Sequence, residues 1–328
     1  MESIKKLIDL WDRFFFHPLP VDSISLFRII WCSLILIVAI FDLGNVSDFY
    51  GPHSLTSLET VREQFNFTHL NIFHLFNSSY SIVYSIFVIY LTAIIFSILG
   101  FYTRPSLIIV LVCMTSFHQR NIWLLSSSEL LMRIVTLTLV FSPCGHAYSI
   151  DSILGRKYVQ FFRLKIWAPW ALRLLQIQLS VVYLWTVIQK LKGQTWIDGT
   201  ALYYATRIES MRNFHIPFLF DWIPFLKLAT WGTLLLELCL GILIWNKHFT
   251  KKIIILGILF HLFIEFTMII PFFEWVMILL LPLFLDSRAI NAFMGKMIFQ
   301  LNEKIRLMNL DNTLKEKIIW LFAGTKNE

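Results

Sequence analysis

The chain has 328 residues, 57% of them hydrophobic and 16% aromatic, with only 15% charged and a net charge of +7. A soluble domain is about 25% charged. No soluble core of this length could hide so much apolar surface, so the mean hydropathy of +0.68 marks a polytopic membrane protein. Nucleic acid is excluded as a partner, because the lysines and arginines fall in short loops and at the two ends rather than in one patch.

In chain order, Ile4–Phe16 reads as a short interfacial helix. Leu7, Leu10, Trp11, Phe14 and Phe15 lie on one side, and Lys5, Lys6, Asp9, Asp12 and Arg13 are among the polar positions. Its charges and amphipathic pattern do not read as a cleavable signal peptide, so the first hydrophobic helix is expected to serve as an uncleaved anchor. Pro18 and Pro20 end the interfacial helix. A first span is expected over 24–43, close to the ~20 residues that cross the hydrocarbon, with Arg28 near its start. The loop 44–79 is net acidic. Further spans are expected over 80–99, 106–117 and 128–142, with a tight turn at 100–105 and a polar junction at His118-Gln119-Arg120. Pro143-Cys144-Gly145 breaks the fourth span, and a basic segment follows to Lys165. The fifth span, 172–190, ends on Lys190, and a long mixed-charge loop runs to Lys227. The remaining spans are expected over 228–245, 253–270 and 274–284. The tail from 287 has the spacing of basic amphipathic helix, with Ile298, Leu301, Ile305 and Met308 among Lys296, Lys304 and Arg306.

The expected architecture is therefore all-α: a transmembrane bundle of about eight spans with an amphipathic surface helix at each end. Three segments follow: an interfacial helix and linker (1–23), the transmembrane domain (24–286) and a basic tail (287–328). The basic loops alternate with the others, so the positive-inside rule places both termini in the cytoplasm. Lys190 and the loops 44–79 and 191–227 then lie on the outer side.

Ionisable groups inside a membrane are expensive, so each needs a partner or a role. Lys190 stands at the end of a long apolar helix beside aromatic side chains. A lysine there either snorkels to the interface or, once desolvated, loses its proton and acts as a base. Glu129 and Arg133 sit at i,i+4, where each can satisfy the other. Glu237 has no cation nearby in sequence and requires one from another helix, with Arg28 and Arg133 as candidates. His261 and Glu265 share a face at i,i+4. That spacing suits a hydrogen-bonded pair or a proton relay, but two ligands are too few for a metal site. The four cysteines, Cys32, Cys113, Cys144 and Cys239, form no C-x-x-C pair, so neither a zinc site nor a redox motif is signalled. No H-E-x-x-H, P-loop, G-x-S-x-G or dinucleotide fingerprint is present.

The run Tyr183…Gln189-Lys190-Leu191-Lys192-Gly193…Trp196-Ile197-Asp198-Gly199-Thr200-Ala201 resembles a signature of bacterial HTTM domains. This is the membrane domain shared with vitamin K-dependent gamma-carboxylases. Three further stretches agree: Arg28 with Asp42…Tyr50-Gly51-Pro52; Pro143-Cys144-Gly145-His146-Ala147-Tyr148-Ser149-Ile150-Asp151; and Glu237…Gly241…Gly257…His261. Together they cover about 12–286. The resemblance implies that Lys190 matches the lysine that deprotonates reduced vitamin K in the animal enzymes. Tyr183, Trp196, Gly199, Glu237, His261 and Glu265 then become ligand-binding or supporting residues, and the implied cofactor is a reduced quinone. Ser126-Ser127-Ser128 stands where the carboxylases have an Asn-His pair. Two readings follow. One is a carboxylase-like enzyme of the bacterial cytoplasmic membrane that uses Lys190 as a base on a quinol or other apolar ligand at the outer face. The other is a non-catalytic membrane factor for maturation or export of a secreted peptide. The lipid bilayer is a partner in both.

Overall fold

A computed structural model describes residues 2–54, 59–60, 71–74, 79–121, 126–154, 168–214, 216–287 and single positions between 289 and 300. Most of the predicted basic tail, much of the 44–79 loop and the 155–167 segment lie outside the described residues. The described chain is helical, and its sole β feature is an isolated bridge between Arg212 and Met268. The principal helices are α1 (Glu2–Phe16), α2 (Asp22–Asp42), α3 (Tyr80–Leu99), α4 (Thr103–Arg120), α5 (Ser127–Phe141), α6 (Trp170–Lys190), α7 (Ile223–Ile242), α8 (Thr250–Thr267) and α9 (Phe273–Leu280). Helices are what a backbone deprived of water must form, since every N–H and C=O then finds a partner within the segment. Among the described residues, four stretches are long and apolar enough to cross a membrane: Asp22–Tyr50, Tyr80–Leu99, Trp170–Lys190 and Ile223–Trp245.

Several boundaries differ from the sequence expectation for local reasons. α4 extends at both ends beyond the predicted 106–117, because Arg104 and Arg120 are accommodated in the helix rather than ending it. α7 begins before the predicted 228, with Pro224 in its first turn, where the missing N–H costs nothing. The last predicted span is α-helical only to Leu280 and tightens into a 3-10 turn, Leu281–Phe284, at Pro282.

The residues fall into two compact units, Met1–Arg173 with Asp286–Glu328, and Leu174–Leu285. In the first unit α3 packs on α2 and α4, and α4 on α5. The Trp31 indole donates to Thr136 Oγ1 at 3.1 Å, tying α2 to α5. At one end of this unit the residues that carried the family resemblance make a polar knot. Arg28 is fully buried and donates to the carbonyls of Cys144 (2.6 Å) and Tyr148 (2.5 Å). Asp151 accepts from the backbone N–H of Tyr102 (2.9 Å) and Thr103 (2.7 Å) and from the Thr103 hydroxyl (2.8 Å). Gly100 ends α3 at φ 67°, and a Cβ on it would lie 2.3 Å from that of Ser149, so glycine is required twice over. Tyr148 donates to Asp22 at 2.9 Å, and burial, with that carboxylate beside it, pushes its phenol up. Arg28 thus does not snorkel; held by two backbone carbonyls, it anchors the 143–151 loop. The Tyr50-Gly51-Pro52 stretch is also held in place. Tyr50 donates to Asp42 (3.2 Å), and Arg120 donates to the Gly51 carbonyl and to Ser54 Oγ, both at 2.8 Å.

Glu129 and Arg133 do not form the expected ion pair. Glu129 turns back to the start of α5, accepting from the Ser126 N–H at 2.7 Å and from the Ser126 hydroxyl in a capping box. Two donors fixed at the helix terminus hold the carboxylate more firmly than one flexible cation a turn away.

In the second unit α8 packs on α7 and α9, and the short helix Ala201–Ala205 lies against α7. Hydrogen bonds join α6 to later segments, a buried one from Gln176 to the Leu283 carbonyl (2.7 Å) and a partly buried one from the Trp245 indole to Ser180 (2.8 Å).

Candidate functional site

Lys190 is the last residue of α6, where a cation meets the negative end of the helix dipole. Its ammonium is 2.6 Å from Glu237 Oε1 and 4.5 Å from the centre of the Trp196 ring. The chain places Trp196 there by turning sharply. The Gly193 N–H returns to the Lys190 carbonyl at 2.9 Å, and the helix Gln194–Ile197 starts at once. The side chain of Glu237, from the middle of α7, is 7% exposed, and that of Lys190 is 21% exposed. Glu237 therefore finds its cation on α6, rather than in either arginine considered from the sequence. Its second oxygen, Oε2, is buried without a hydrogen-bond partner among the described residues.

Seven residues before Lys190, two turns back on the same face, stands Tyr183. It is buried, and its hydroxyl is 2.7 Å from His261 Nε2. His261 Nδ1 bonds to Glu274, also buried, at the start of α9. A carboxylate only accepts, so with a neutral imidazole Nδ1–H donates to Glu274 and Nε2 accepts from the tyrosine hydroxyl. The expected His261–Glu265 pair is not formed. Glu265 instead accepts from the Trp275 indole at 2.9 Å. Glu274 is the residue that sequence reasoning missed as a site residue. Its one signal is an acidic side chain opening a short apolar run after Pro271.

The two groups act on each other electrostatically: Glu237 lies within reach of His261 and Glu274, and Tyr183 within reach of both carboxylates. With Lys190 charged and both carboxylates ionised, the cluster carries one excess negative charge. One more proton, on Glu237, His261 or Glu274, neutralises it. The arrangement is chemically a store of exchangeable protons ending on a primary amine beside an aromatic face.

Gly199 supports the site from the loop. It has φ 81°, and a Cβ there would lie 3.0 Å from the Trp231 ring. The preceding Asp198 accepts from the Thr200 N–H (3.0 Å) and hydroxyl (2.5 Å), and the Thr200 bonds hold this exposed carboxyl below the usual range. Among the described residues, no three His, Cys, Asp or Glu side chains are grouped to hold a metal ion.

The family model described as "HTTM domain" matches residues 16–288. Two proteins of Bacillus subtilis (strain 168) are similar over part of the chain. The uncharacterized protein YitO is 32% identical over 93 residues, covering 26% of this chain and 30% of its own length. The sporulation-delaying protein SdpB is 29% identical over 94 residues, covering 27% and 29%. The matched part is thus under a third of either relative. No solved structure matches.

Proposed function

The chain belongs to the HTTM domain family, and from that premise we propose that Lys190 and Glu237 form a proton-transfer couple for a hydroxyl-bearing apolar ligand, with a reduced quinone as the best chemical fit. The protein in this reading is a carboxylase-like enzyme of the bacterial cytoplasmic membrane. It has about eight spans, amphipathic surface helices at both ends and both termini inside, and the couple works at the outer face. The observation that carries the reading is the Lys190–Glu237 contact beside Trp196, with Glu237 Oε2 left without a partner among the described residues.

A charged lysine cannot act as a base. Glu237 Oε1, at 2.6 Å from Nζ, is positioned to take the lysine proton, leaving a neutral amine and a neutral carboxylic acid. The amine then accepts the ligand's hydroxyl proton and returns to the ammonium form. Trp196 offers a flat face on which an aromatic ring can stack. Tyr183, His261 and Glu274 support the couple by setting the charge around Glu237. When bound, a reduced quinone supplies the reducing equivalents that molecular oxygen accepts in carboxylase-like chemistry.

The test is hydroquinone epoxidation by purified protein in lipid, with reduced menaquinone and reduced vitamin K offered under oxygen. Epoxide from the wild type, and none from a Lys190→Ala protein with an unchanged melting temperature, is the expected result. No epoxide from the wild type overturns the enzymatic reading.

The alternative is a non-catalytic factor for maturation or export of a secreted peptide. It is favoured by the same contact read as a clasp, since a direct ion pair also holds α6 to α7. A Lys190→Glu, Glu237→Lys exchange that preserves the biological function supports this second reading, because a clasp tolerates reversal and a lysine base does not.

A further inference from the structure

The first compact unit holds a polar cluster of its own. α4 ends in His118-Gln119-Arg120, and α5, the next helix, carries Glu129 and Arg133. Arg120 is engaged with Gly51 and Ser54, and Glu129 with the cap of its own helix. Arg133 stands six residues into α5, about 9 Å along the axis from the first residue. Its buried Nε has no acceptor among the described residues, and Glu129, bonded to its own cap, acts on it only through space. Two more buried atoms without a partner among the described residues stand on the adjoining helix, His118 Nδ1 and Gln119 Oε1. Arg133 lies within electrostatic reach of His118, and α4 packs on α5.

Buried polar groups are ordinarily satisfied, and an unpaired cation within a membrane helix marks a function. The three groups share one requirement. Arg133 offers donors in a planar fork that fits two oxygens, and His118 Nδ1–H donates in one tautomer. The Gln119 amide, turned about its last torsion, presents NH2 where its oxygen now lies. With the amide in that orientation an oxyanion would satisfy all three, whereas a cation could meet only Gln119 Oε1 and an unprotonated His118 Nδ1 and would be repelled by Arg133, and an apolar group would satisfy none.

We propose that Arg133, with His118 and Gln119, binds a carboxylate or phosphate group inside the first unit. Two sources carry that chemistry, a free anion and a lipid headgroup.

The experiment is thermal unfolding of the full chain in an uncharged detergent, titrated separately with inorganic phosphate, glutamate and phosphatidylglycerol, against chloride at equal ionic strength. The wild type is expected to melt several degrees higher, in a saturable way, with at least one of the three. Arg133→Gln should show no such rise, and His118→Gln a smaller one. Without titrant, Arg133→Gln should melt at or above the wild type, since it removes an unpaired charge. A rise with phosphate or glutamate identifies a free anion, and a rise with phosphatidylglycerol alone identifies a lipid headgroup. The proposal is overturned by no rise above chloride in the wild type, or by an undiminished rise in Arg133→Gln. Arg133→Gln melting well below the wild type without titrant also overturns it, because that marks a structural partner already in place.

Discussion

Breaking the Lys190–Glu237 contact should destabilise the second unit by an amount that the geometry bounds. At 2.6 Å and an effective dielectric of about 20, the bare attraction is roughly 6 kcal/mol. Desolvation offsets most of it. Losing one partner of a fully buried pair costs about 3–5 kcal/mol, and exposed pairs are worth about 0.2–1 kcal/mol. With side chains 7% and 21% exposed, this pair lies between those cases, nearer the buried one. Glu237→Gln should therefore cost about 2–3 kcal/mol, and the coupling between the residues should be about 2 kcal/mol. The assay is a double-mutant cycle of Lys190→Met and Glu237→Gln, read by chemical unfolding in micelles. Replacing Lys190 also removes its contact with Trp196. That loss is common to the single and double variants and cancels from the coupling. A coupling below about 0.5 kcal/mol would refute the reasoning, because the two groups would then be neighbours without a shared free energy.

Other outcomes follow from the same geometry. Asp151→Asn removes the charge from three accepted hydrogen bonds and should lower stability by about 2–3 kcal/mol; an unchanged unfolding midpoint would contradict the account of the knot. Glu274→Gln should destabilise the protein by about 1–3 kcal/mol through His261, whereas Glu265→Gln, which loses only the bond from the partly exposed Trp275, should change stability by under about 1 kcal/mol. Asp198 is held below its ordinary carboxylate range by Thr200. Its contribution is therefore complete above that range and lost as pH falls through the depressed value. Acid should loosen the 198–200 turn in the wild type but not in Asp198→Asn, as hydrogen exchange at the Thr200 amide would report.

Much of this architecture is legible in the sequence because a membrane leaves few alternatives. Apolar runs bounded by proline, glycine and charge become helices, and the ends of α2, α3 and α6 fall within two residues of expectation. The cost of an intramembrane charge likewise singles out Lys190, Glu237 and His261. What the sequence does not carry is the choice of partner. An i,i+4 spacing says that two side chains share a face, not that they meet. Glu129 prefers its own helix cap, and His261 finds Glu274, thirteen residues on, rather than Glu265. Glu237 meets Lys190 across 47 positions. Such pairings are set by packing between helices, which periodicity does not encode. The family signature also mixes two kinds of residue. Arg28 and Asp151 hold a turn together, while Lys190 and Trp196 stand beside each other and Glu237 in the proposed site. Spacing does not tell a residue that anchors a turn from one that does not; hydrogen-bond partners do.

The most direct test of the proton-transfer couple is infrared difference spectroscopy of the protein in lipid as reduced menaquinone is added. The account predicts a new carbonyl band from a protonated carboxyl in the wild type, absent from Glu237→Gln, as the proton of Lys190 passes to Glu237. A wild-type protein that consumes the quinol with no such band, or that gives the same band without Glu237, would contradict it.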